Sequence, residues 1–468
     1  MKEESEPYFE ENEIEELIVR YEEMLKNNIV QYFDVFEFEN IVEYYIENFQ
    51  LNKALDAIQI AFKLHPNSIN LLLRKSQLLL ENESPNEALK ILEQIQKIEN
   101  NNYEIYLLIG HAYCLLNKLL QAESKFNYAI KIAIDDLEEV YINIASILIK
   151  VEKYSLAIKY IEKAIELFPQ NIDFLYEMAS CYERIGEINK SIKYYNDILD
   201  IDPYTENAWF NLGLLYERIG KSDKSIEAYE FVTAINENYS IAYLNKGNVN
   251  LNAGNYKAAI KSYKEYIFLN DDCPEVYCYI GECYERLTDY RKAKDFYQKA
   301  ISYDHSISDA WFGLGIVEMY LENHFESIEY IKKAIQIEND NSDYWYSLGK
   351  VNLKLGLYNE SKDAFIKAIE LDVYDSESWL LCAEVFWKES NFDKAIAILM
   401  EGYKYNNSVA EYNYKLAAYL LATDQAKTAL QYFRVAYKDD KGGYKIIFNY
   451  AKENQIPREI KSIIKKVY

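Results

Sequence analysis

Apolar and small residues return along this chain with a fixed spacing of 34 residues. The stretch from Glu206 to Tyr239 carries large or small apolar residues at positions 4, 7, 8 and 11, and a second such set at positions 20, 24 and 27 (Trp209, Leu212, Gly213, Tyr216; Ser225, Tyr229, Val232). At about 100° per residue, each set falls on one side of an α-helix. The pattern therefore predicts two amphipathic helices in each unit of 34 residues.

Twelve copies of this unit run from Val35 to Gly443. Steps of 34 residues recover the pattern in both directions, with one extra residue between the copies that begin at Tyr103 and Glu138. We expect that extra residue in the turn within residues 132–139. A period of this size is the sequence signature of stacked supersecondary units, so one elongated array is expected rather than several globular domains.

Two positions of the unit stay small, one on each helix. Position 8 is Gly, Ala, Ser or Val, and position 20 is Ala or Ser in all twelve copies, whereas position 4 is often Trp or Tyr. Small residues at these points let the two helices cross closely. The pattern resembles the tetratricopeptide repeat over roughly nine-tenths of the chain. That resemblance implies an all-α fold, a right-handed α-α superhelix whose concave side binds peptides.

The segments outside the array are expected to cover its ends. Residues 1–34 combine an acidic tail with a helix whose apolar side includes Leu17, Ile18, Tyr21 and Leu25, and residues 444–468 predict two further helices. An uncovered terminal repeat would expose an apolar face, so arrays carry such caps. The last helix, after Pro457, is basic and amphipathic. It could instead lie on a membrane surface, although its apolar side is short for that role.

Composition limits the partners and the compartment. The net charge is −25 and the isoelectric point is near 4.8, which opposes nucleic-acid binding because that binding depends on Lys and Arg. The chain has no run of 18 apolar residues, so no membrane partner is expected. The acidic N-terminus lacks the features of a secretory signal, and six cysteines without paired spacing suit reduced thiols. These features favour a cytoplasmic protein.

Candidate chemistry for an enzyme is lacking in the sequence. The four histidines share no repeat face with a cysteine and an acid in nucleophile spacing. Cys273, Cys278 and Cys283 are five residues apart, which turns successive thiols about 140° round a helix and prevents them from converging on a metal. We expect no catalytic residues, no metal and no cofactor.

Positions 2, 6, 9 and 13 of each first helix should face the inside of the array. The asparagines at position 6 include Asn143, Asn211 and Asn245, and asparagine recurs on this face of the middle repeat at Asn248 and Asn252. Amides both donate and accept hydrogen bonds, so such a ladder could bind the main chain of a peptide, as resemblance to some tetratricopeptide proteins also implies. The competing explanations are that Asn at position 6 is common in this family and that Asn is plentiful in the chain.

Charged and aromatic residues flank this ladder. Position 13 is often basic, position 2 is often acidic, and position 5 is aromatic in several repeats; the candidates for partner binding are Arg184, Arg218, Glu282, Arg286, Tyr176, Phe210, Phe312 and Tyr346. The two charged rows could grip a peptide, or they could simply offset the helix dipole. The aromatic residues could contact a partner or pack between helices.

The sequence thus predicts a non-enzymatic scaffold or adaptor that holds an extended or helical segment of a partner protein. The alternative is a regulatory or substrate-delivering subunit of an enzyme complex. Because the acidic N-terminal segment contrasts with a basic excess from Lys427 onward, weak head-to-tail self-association is also permitted.

Overall fold

The structure, a computed structural model, describes residues 11–27, 31–270 and 273–465. Every regular element in these ranges is helical. The chain divides into two compact units, residues 1–215 and 216–468. The division falls within the helix that begins at Glu206.

Residues 11–215 contain α1 and the helices of the first repeats. The lone leading helix is α1 (Glu11–Asn27). The first helices of the repeats are α2 (Val35–Glu47), α4 (Ile69–Glu81), α6 (Tyr103–Leu115), α8 (Leu137–Lys150), α10 (Ile172–Arg184) and α12 (Glu206–Arg218). The second helices are α3 (Leu51–Leu64), α5 (Pro85–Ile98), α7 (Leu119–Ile132), α9 (Tyr154–Leu167) and α11 (Ile188–Ile201).

Residues 216–468 continue with the same alternation. The second helices are α13 (Ser222–Ile235), α15 (Tyr256–Leu269), α17 (Tyr290–Tyr303), α19 (His324–Ile337), α21 (Tyr358–Leu371), α23 (Phe392–Asn406) and α25 (Ala426–Asp439). The first helices are α14 (Ser240–Asn252), α16 (Pro274–Arg286), α18 (Ser308–Tyr320), α20 (Ser342–Leu355), α22 (Ser376–Lys388) and α24 (Ala410–Ala422). A final helix, α26, covers Arg458–Lys465.

The helix boundaries follow the repeat that the sequence predicts. Eleven of the twelve first helices begin at the first residue of a predicted copy, and each second helix begins at position 17. The exception is α8, which begins at Leu137, one residue before Glu138. Four residues join α7 to α8, the same number that joins α9 to α10. The extra residue therefore lengthens the start of α8, and the prediction that it lies in the turn is wrong.

The two helices of a repeat approach most closely at position 8. A Cβ added to Gly349 would lie 2.7 Å from Cδ1 of Phe365, and one added to Gly281 would lie 2.8 Å from Cδ1 of Tyr297. The ring at position 24 of the second helix therefore rests on the bare backbone of the first. Ser361 at position 20 adds a hydrogen bond from its hydroxyl to the Gly349 carbonyl, 2.8 Å long.

Tryptophan at position 4 fastens four of the first helices to the turn before them. The indole nitrogens of Trp209, Trp311, Trp345 and Trp379 donate to the carbonyls of Pro203, His305, Asn339 and Val373, each six residues upstream, at 2.9 to 3.0 Å. The turn carbonyls would otherwise rely on water. The same residue that fills the space between helices thus also fixes where the helix begins.

The turn inside each repeat bends at position 15, where the backbone φ is positive in all twelve copies. Four copies place Gly at this position, whereas eight place another residue there, such as Thr288 with φ 60°. A left-handed residue after a helix is the usual way to end it, but it strains side chains with a branched Cβ. This requirement of the turn was not predicted from the sequence.

Helices outside the repeats pack on both ends of the array. In α1, Leu17, Ile18, Tyr21 and Met24 are buried against α2 and α3. Leu25, predicted on the same side, is 44% exposed instead. At the other end, Gly443–Asn449 forms a 3-10 helix rather than the predicted α-helix.

The last helix, α26, is held by its apolar side. Ile460 is fully buried, and Ile463 and Ile464 pack against the cluster that includes residues of α24 and α25. These contacts cover the apolar side of α26, which is the arrangement expected of the predicted cap. The predicted contributions of Lys466 and Val467 lie outside the described residues.

Replacing Gly349 with Ala should test the close approach at position 8. We expect Gly349→Ala to lower the free energy of unfolding by about 1–3 kcal/mol, because the new methyl group overlaps the Phe365 ring. A Phe365→Leu background should remove much of this effect, since Leu399 faces Ala383 at the same two positions of the next repeat. Urea unfolding of the single and double variants measures the coupling. If the losses of unfolding free energy from the two substitutions were strictly additive, the Phe365 ring would not determine the distance between the two helices.

The strained turn at Thr288 predicts a substitution that stabilises the protein. Thr288→Gly should raise the free energy of unfolding by about 1 kcal/mol, because glycine adopts a positive φ without a Cβ clash. The reciprocal control, Gly254→Thr, should lower it by a similar amount at the same position of another repeat. Both values come from urea unfolding followed by circular dichroism. A loss of stability in Thr288→Gly would contradict the strain.

Candidate functional site

The first helices leave one side uncovered within each unit. Positions 3, 7, 8 and 10 are buried in most repeats, whereas positions 2 and 13 are mostly exposed. The sequence pattern predicts positions 4, 7, 8 and 11 for the buried side. Positions 3 and 10 are buried as well. The remaining face of positions 2, 6, 9 and 13 is therefore the surface on which a ligand can lie.

In residues 11–215 this face forms a cavity of about 360 Å³ across four consecutive first helices. Its polar or charged walls come from α2, α4, α6 and α8 (Glu43, Arg74, Gln77, Glu81, Glu104, His111, Asn143, Ser146, Lys150). Its apolar floor includes Leu107 and Leu108 of α6. The helix α6 packs between α4 and α8 and has nine buried residues, so it lies at the bottom of the cavity.

Hydrogen bonds and ion pairs cross this cavity from helix to helix. The guanidinium of Arg74 pairs with Glu43 on one side, and its Nη1 donates to Oε1 of Gln77 at 3.0 Å. The Gln77 amide then donates to Oε1 of Glu104 at 2.9 Å. Nearer the solvent, Lys150 lies 3.5 Å from Glu81. The wall is thus a connected polar network, and its positions are fixed by three repeats together.

Burial perturbs the titratable groups of this network. It raises the pKa of Glu104 above the ordinary value of a glutamate, while the nearby Arg74 acts in the opposite direction. Burial, together with the positive charge of Lys150, lowers the pKa of His111 to about 4. The imidazole of His111 is only 8% exposed and makes no hydrogen bond with the described residues. At neutral pH the cavity therefore holds an uncharged histidine.

Of the predicted binding residues, only Asn143 lines this cavity. Tyr176 is half-buried, with its ring centroid 5.8 Å from that of Tyr195 in an edge-on contact. Arg184 is exposed, and Phe210 and Asn211 are half-buried. These four residues thus lie on α10 and α12, away from the polar network.

In residues 216–468, two of the three predicted asparagines support buried tyrosines. Asn248 accepts a hydrogen bond of 2.9 Å from the hydroxyl of Tyr263, which is fully buried. Asn245 lies beside the hydroxyl of Tyr229, which is also fully buried. Asn252 is exposed. Two members of the predicted ladder therefore have a structural duty in addition to any part in binding.

The other predicted residues of this unit fall into two groups. Arg218 and Arg286 are exposed, and Nη2 of Arg286 lies 3.4 Å from Oε1 of Glu282 one turn earlier. Phe312 and Tyr346 are half-buried and pack between helices. The Phe312 ring centroid lies 4.5 Å from that of Tyr344, and the Tyr346 hydroxyl donates to Glu377.

Acids at position 2 also join neighbouring repeats. Tyr344 donates to Oδ1 of Asp309 at 2.7 Å, and Tyr103 donates to Oε2 of Glu139 at 3.3 Å. These contacts add a third explanation for the acidic row, beyond peptide binding and the helix dipole. The acids hold consecutive first helices in register.

The sequence reasoning missed the residues that make the cavity polar. Arg74, Gln77 and His111 occupy positions 6 and 9 of the face that is predicted to be open, yet the predicted binding residues at these positions are asparagines and Glu282. The available signal was the departure from the repeat, since no other copy has Arg at position 6 or His at position 9. Their mutual contacts depend on the stacking of three helices and could not be read from one repeat.

Comparisons with known proteins agree with this architecture. Residues 230–452 match the family model described as the Cilia and flagella-associated protein 70 C-terminal domain, and two tetratricopeptide repeat models match residues 148–212 and 206–239. The chain is a tetratricopeptide-repeat protein. The search of curated proteins found no match.

Several solved structures resemble parts of this repeat protein. A MamA structure is 27% identical, with a TM-score of 0.33, and the match covers 36% of this chain and 92% of MamA. A chain of the APC/C hetero-tetramer Cut9-Hcn1 is 14% identical over 82% of this chain and 90% of its own, with a TM-score of 0.40. YrrB, titled a TPR protein with an unusual peptide-binding site, is 15% identical over 39% and 94%, with a TM-score of 0.33.

Among residues 11–27, 31–270 and 273–465, no helix has both the length and the apolar character that crossing a membrane requires. Within the same ranges, no three His, Cys, Asp or Glu residues are grouped so that they could hold a metal ion.

The pKa of His111 predicts a pH-dependent loss of stability. Because the folded protein holds the neutral ring, it excludes a proton that the unfolded chain binds below its ordinary pKa of 6.5. The contribution is complete above pH 6.5 and falls by about 3 kcal/mol as the pH drops towards 4. We expect the difference in unfolding free energy between wild type and His111→Gln to shrink over this window. Proton NMR should show His111 titrating near pH 4, and an ordinary midpoint would refute the burial effect.

Proposed function

We propose that this tetratricopeptide-repeat protein is a non-enzymatic scaffold that holds an extended or helical segment of a partner protein on its first-helix faces. One observation carries the proposal. In residues 216–468, Arg218, Asn252 and Arg286 occupy position 13 of consecutive first helices and are exposed, while the opposite sides of these helices form the repeat core. These guanidinium and amide groups face the solvent, where Arg286 also pairs with Glu282 on its own helix, and they suit the carboxylates and main chain of a peptide.

The three predicted asparagines of the middle repeat differ in how well they can test a binding role. Asn245 and Asn248 contact buried tyrosine hydroxyls, so removing them would disturb the repeat itself. A binding role is therefore tested more cleanly through Asn252 and the arginines on either side of it in sequence. This choice separates loss of a ligand contact from loss of a core hydrogen bond.

A subunit of an enzyme complex remains the second candidate from the sequence. The two functions differ in their partners, since a scaffold engages several proteins and a dedicated subunit engages one enzyme in fixed stoichiometry. Co-purification of the tagged full-length chain from its own cells, followed by mass spectrometry, separates them. A single stoichiometric enzyme would favour the second candidate.

The combined variant Arg218→Ala, Asn252→Ala and Arg286→Ala tests the binding face. We expect it to weaken binding of a co-purified partner segment by about tenfold or more, about 1.4 kcal/mol, as measured by calorimetry. The matched control is Lys257→Ala, Lys264→Ala and Arg291→Ala, which changes three exposed residues on the second helices α15 and α17. Unchanged affinity in the first variant, or equal loss in the control, would contradict binding on this face.

A further inference from the structure

In the cavity formed by α2, α4, α6 and α8, most charged side chains form ion pairs, but one carboxylate does not. Arg74 is paired with Glu43, and Lys150 is paired with Glu81. Glu104 receives a side-chain hydrogen bond only from the neutral amide of Gln77, and no cation among the described residues lies within ion-pair distance of its carboxylate. The acceptor capacity of this half-buried carboxylate is therefore only partly used.

A second group in the cavity points to a ligand independently. His111 is 8% exposed, lines the cavity, and has no hydrogen-bond partner among the described residues. Its ring nitrogens are not among the polar atoms that are sealed from solvent, so they remain accessible from the cavity. An unpartnered imidazole that borders an open cavity is thus placed to bond a molecule that enters it.

Both groups lie on one side of α6 with an apolar surface between them. Glu104 and His111 are seven residues apart, which is close to two full turns and about 10 Å along the helix axis. Leu107 and Leu108, three and four residues after Glu104, line the cavity between them. The order along the floor is therefore carboxylate, aliphatic surface, imidazole.

We propose that this cavity receives the side chain of a lysine or arginine from a bound partner segment. The cationic head lies at the Glu104 carboxylate, the aliphatic stem lies over Leu107 and Leu108, and a main-chain N–H of the segment donates to the His111 ring. The amides of Gln77 and Asn143 flank this position from the preceding and following repeats. This inference rests on the proposed scaffold function, of which it names one specificity pocket.

An anionic ligand fits the same cavity less well. Its two permanent cations, Arg74 and Lys150, already contact carboxylates, so an anion would have to displace Glu43 or Glu81. The lining contains three glutamates against those two bases. Charge complementarity therefore selects a cation, and the leucine surface selects one that is carried on an aliphatic stem.

Three capped pentapeptides, Ac-Ala-Ala-X-Ala-Ala-NH2, test the pocket on the full-length protein. In these probes X is lysine, norleucine or glutamate, and the readout is the ring signals of His111 in a ¹³C–¹H correlation spectrum, assigned through His111→Gln. Norleucine keeps the stem and removes the ammonium group. We expect the lysine peptide to shift the His111 signals saturably and to bind about tenfold or more tightly than the other two peptides.

A pair of matched variants locates the charge that is recognised. Glu104→Gln should weaken lysine-peptide binding by about tenfold, since it keeps the hydrogen-bonding shape and removes the negative charge. Glu93→Gln removes the same charge from an exposed position of α5 and should leave binding unchanged. Circular dichroism confirms that both variants are folded.

Several outcomes would contradict the proposed lysine or arginine pocket. These are the absence of saturable shifts with the lysine peptide, equal binding of the norleucine peptide, preference for glutamate, or equal effects of the two variants. The peptide comparison uses the wild-type chain, so a variant that failed to fold would not prevent the test. No partner protein is involved, so a negative result removes this pocket and leaves the scaffold proposal to its own experiment.

Discussion

The close crossing of the two helices within each repeat is the constraint on which the rest of the structure depends. At Gly349 and Gly281 the first helix presents bare backbone, and the rings of Phe365 and Tyr297 lie directly on it. The crossing brings position 20 near position 8, which explains why that residue is always Ala or Ser and why Ser361 can bond the Gly349 carbonyl. A close-packed interior has no room to vary this spacing repeat by repeat. Each pair of helices is therefore a rigid unit with a fixed exposed side.

That fixed geometry decides which residues are available for function. Once positions 3, 4, 7, 8, 10 and 11 are committed to packing, positions 2, 6, 9 and 13 of a first helix can differ from copy to copy without disturbing the crossing. Even there, part of the variation serves stacking: Tyr344 bonds Asp309, and Tyr346 bonds Glu377. Exposure on this face is thus necessary for a binding role but does not establish one. Contacts between side chains are needed to separate residues that join repeats from residues that remain open.

The repeat could be predicted from the sequence almost to the residue, whereas the candidate site could not. A period of 34 and the small residues at positions 8 and 20 determine the helix starts, because these features depend on one helix pair at a time. The strained turn at Thr288 escaped prediction because glycine fills that position in only four copies. The duty of Asn248 escaped for a different reason: its partner, Tyr263, lies fifteen residues away on the second helix, and both residues look ordinary in the pattern. The network from Arg74 to Glu104 spans adjacent repeats and appears only when they are stacked.

Departures from the repeat therefore carry more functional information than its regularities. Asparagine at position 6 recurs in the array, and in the middle repeat the two partly buried asparagines contact buried tyrosines, as expected of residues that support the common fold. Arg74 at position 6 and His111 at position 9 occur once each, and both line the same cavity. The stacking of identical units does not require them. His111, held neutral by burial, and Glu104, which has no cation within ion-pair distance among the described residues, border this cavity together, and the proposed ligand would satisfy both groups.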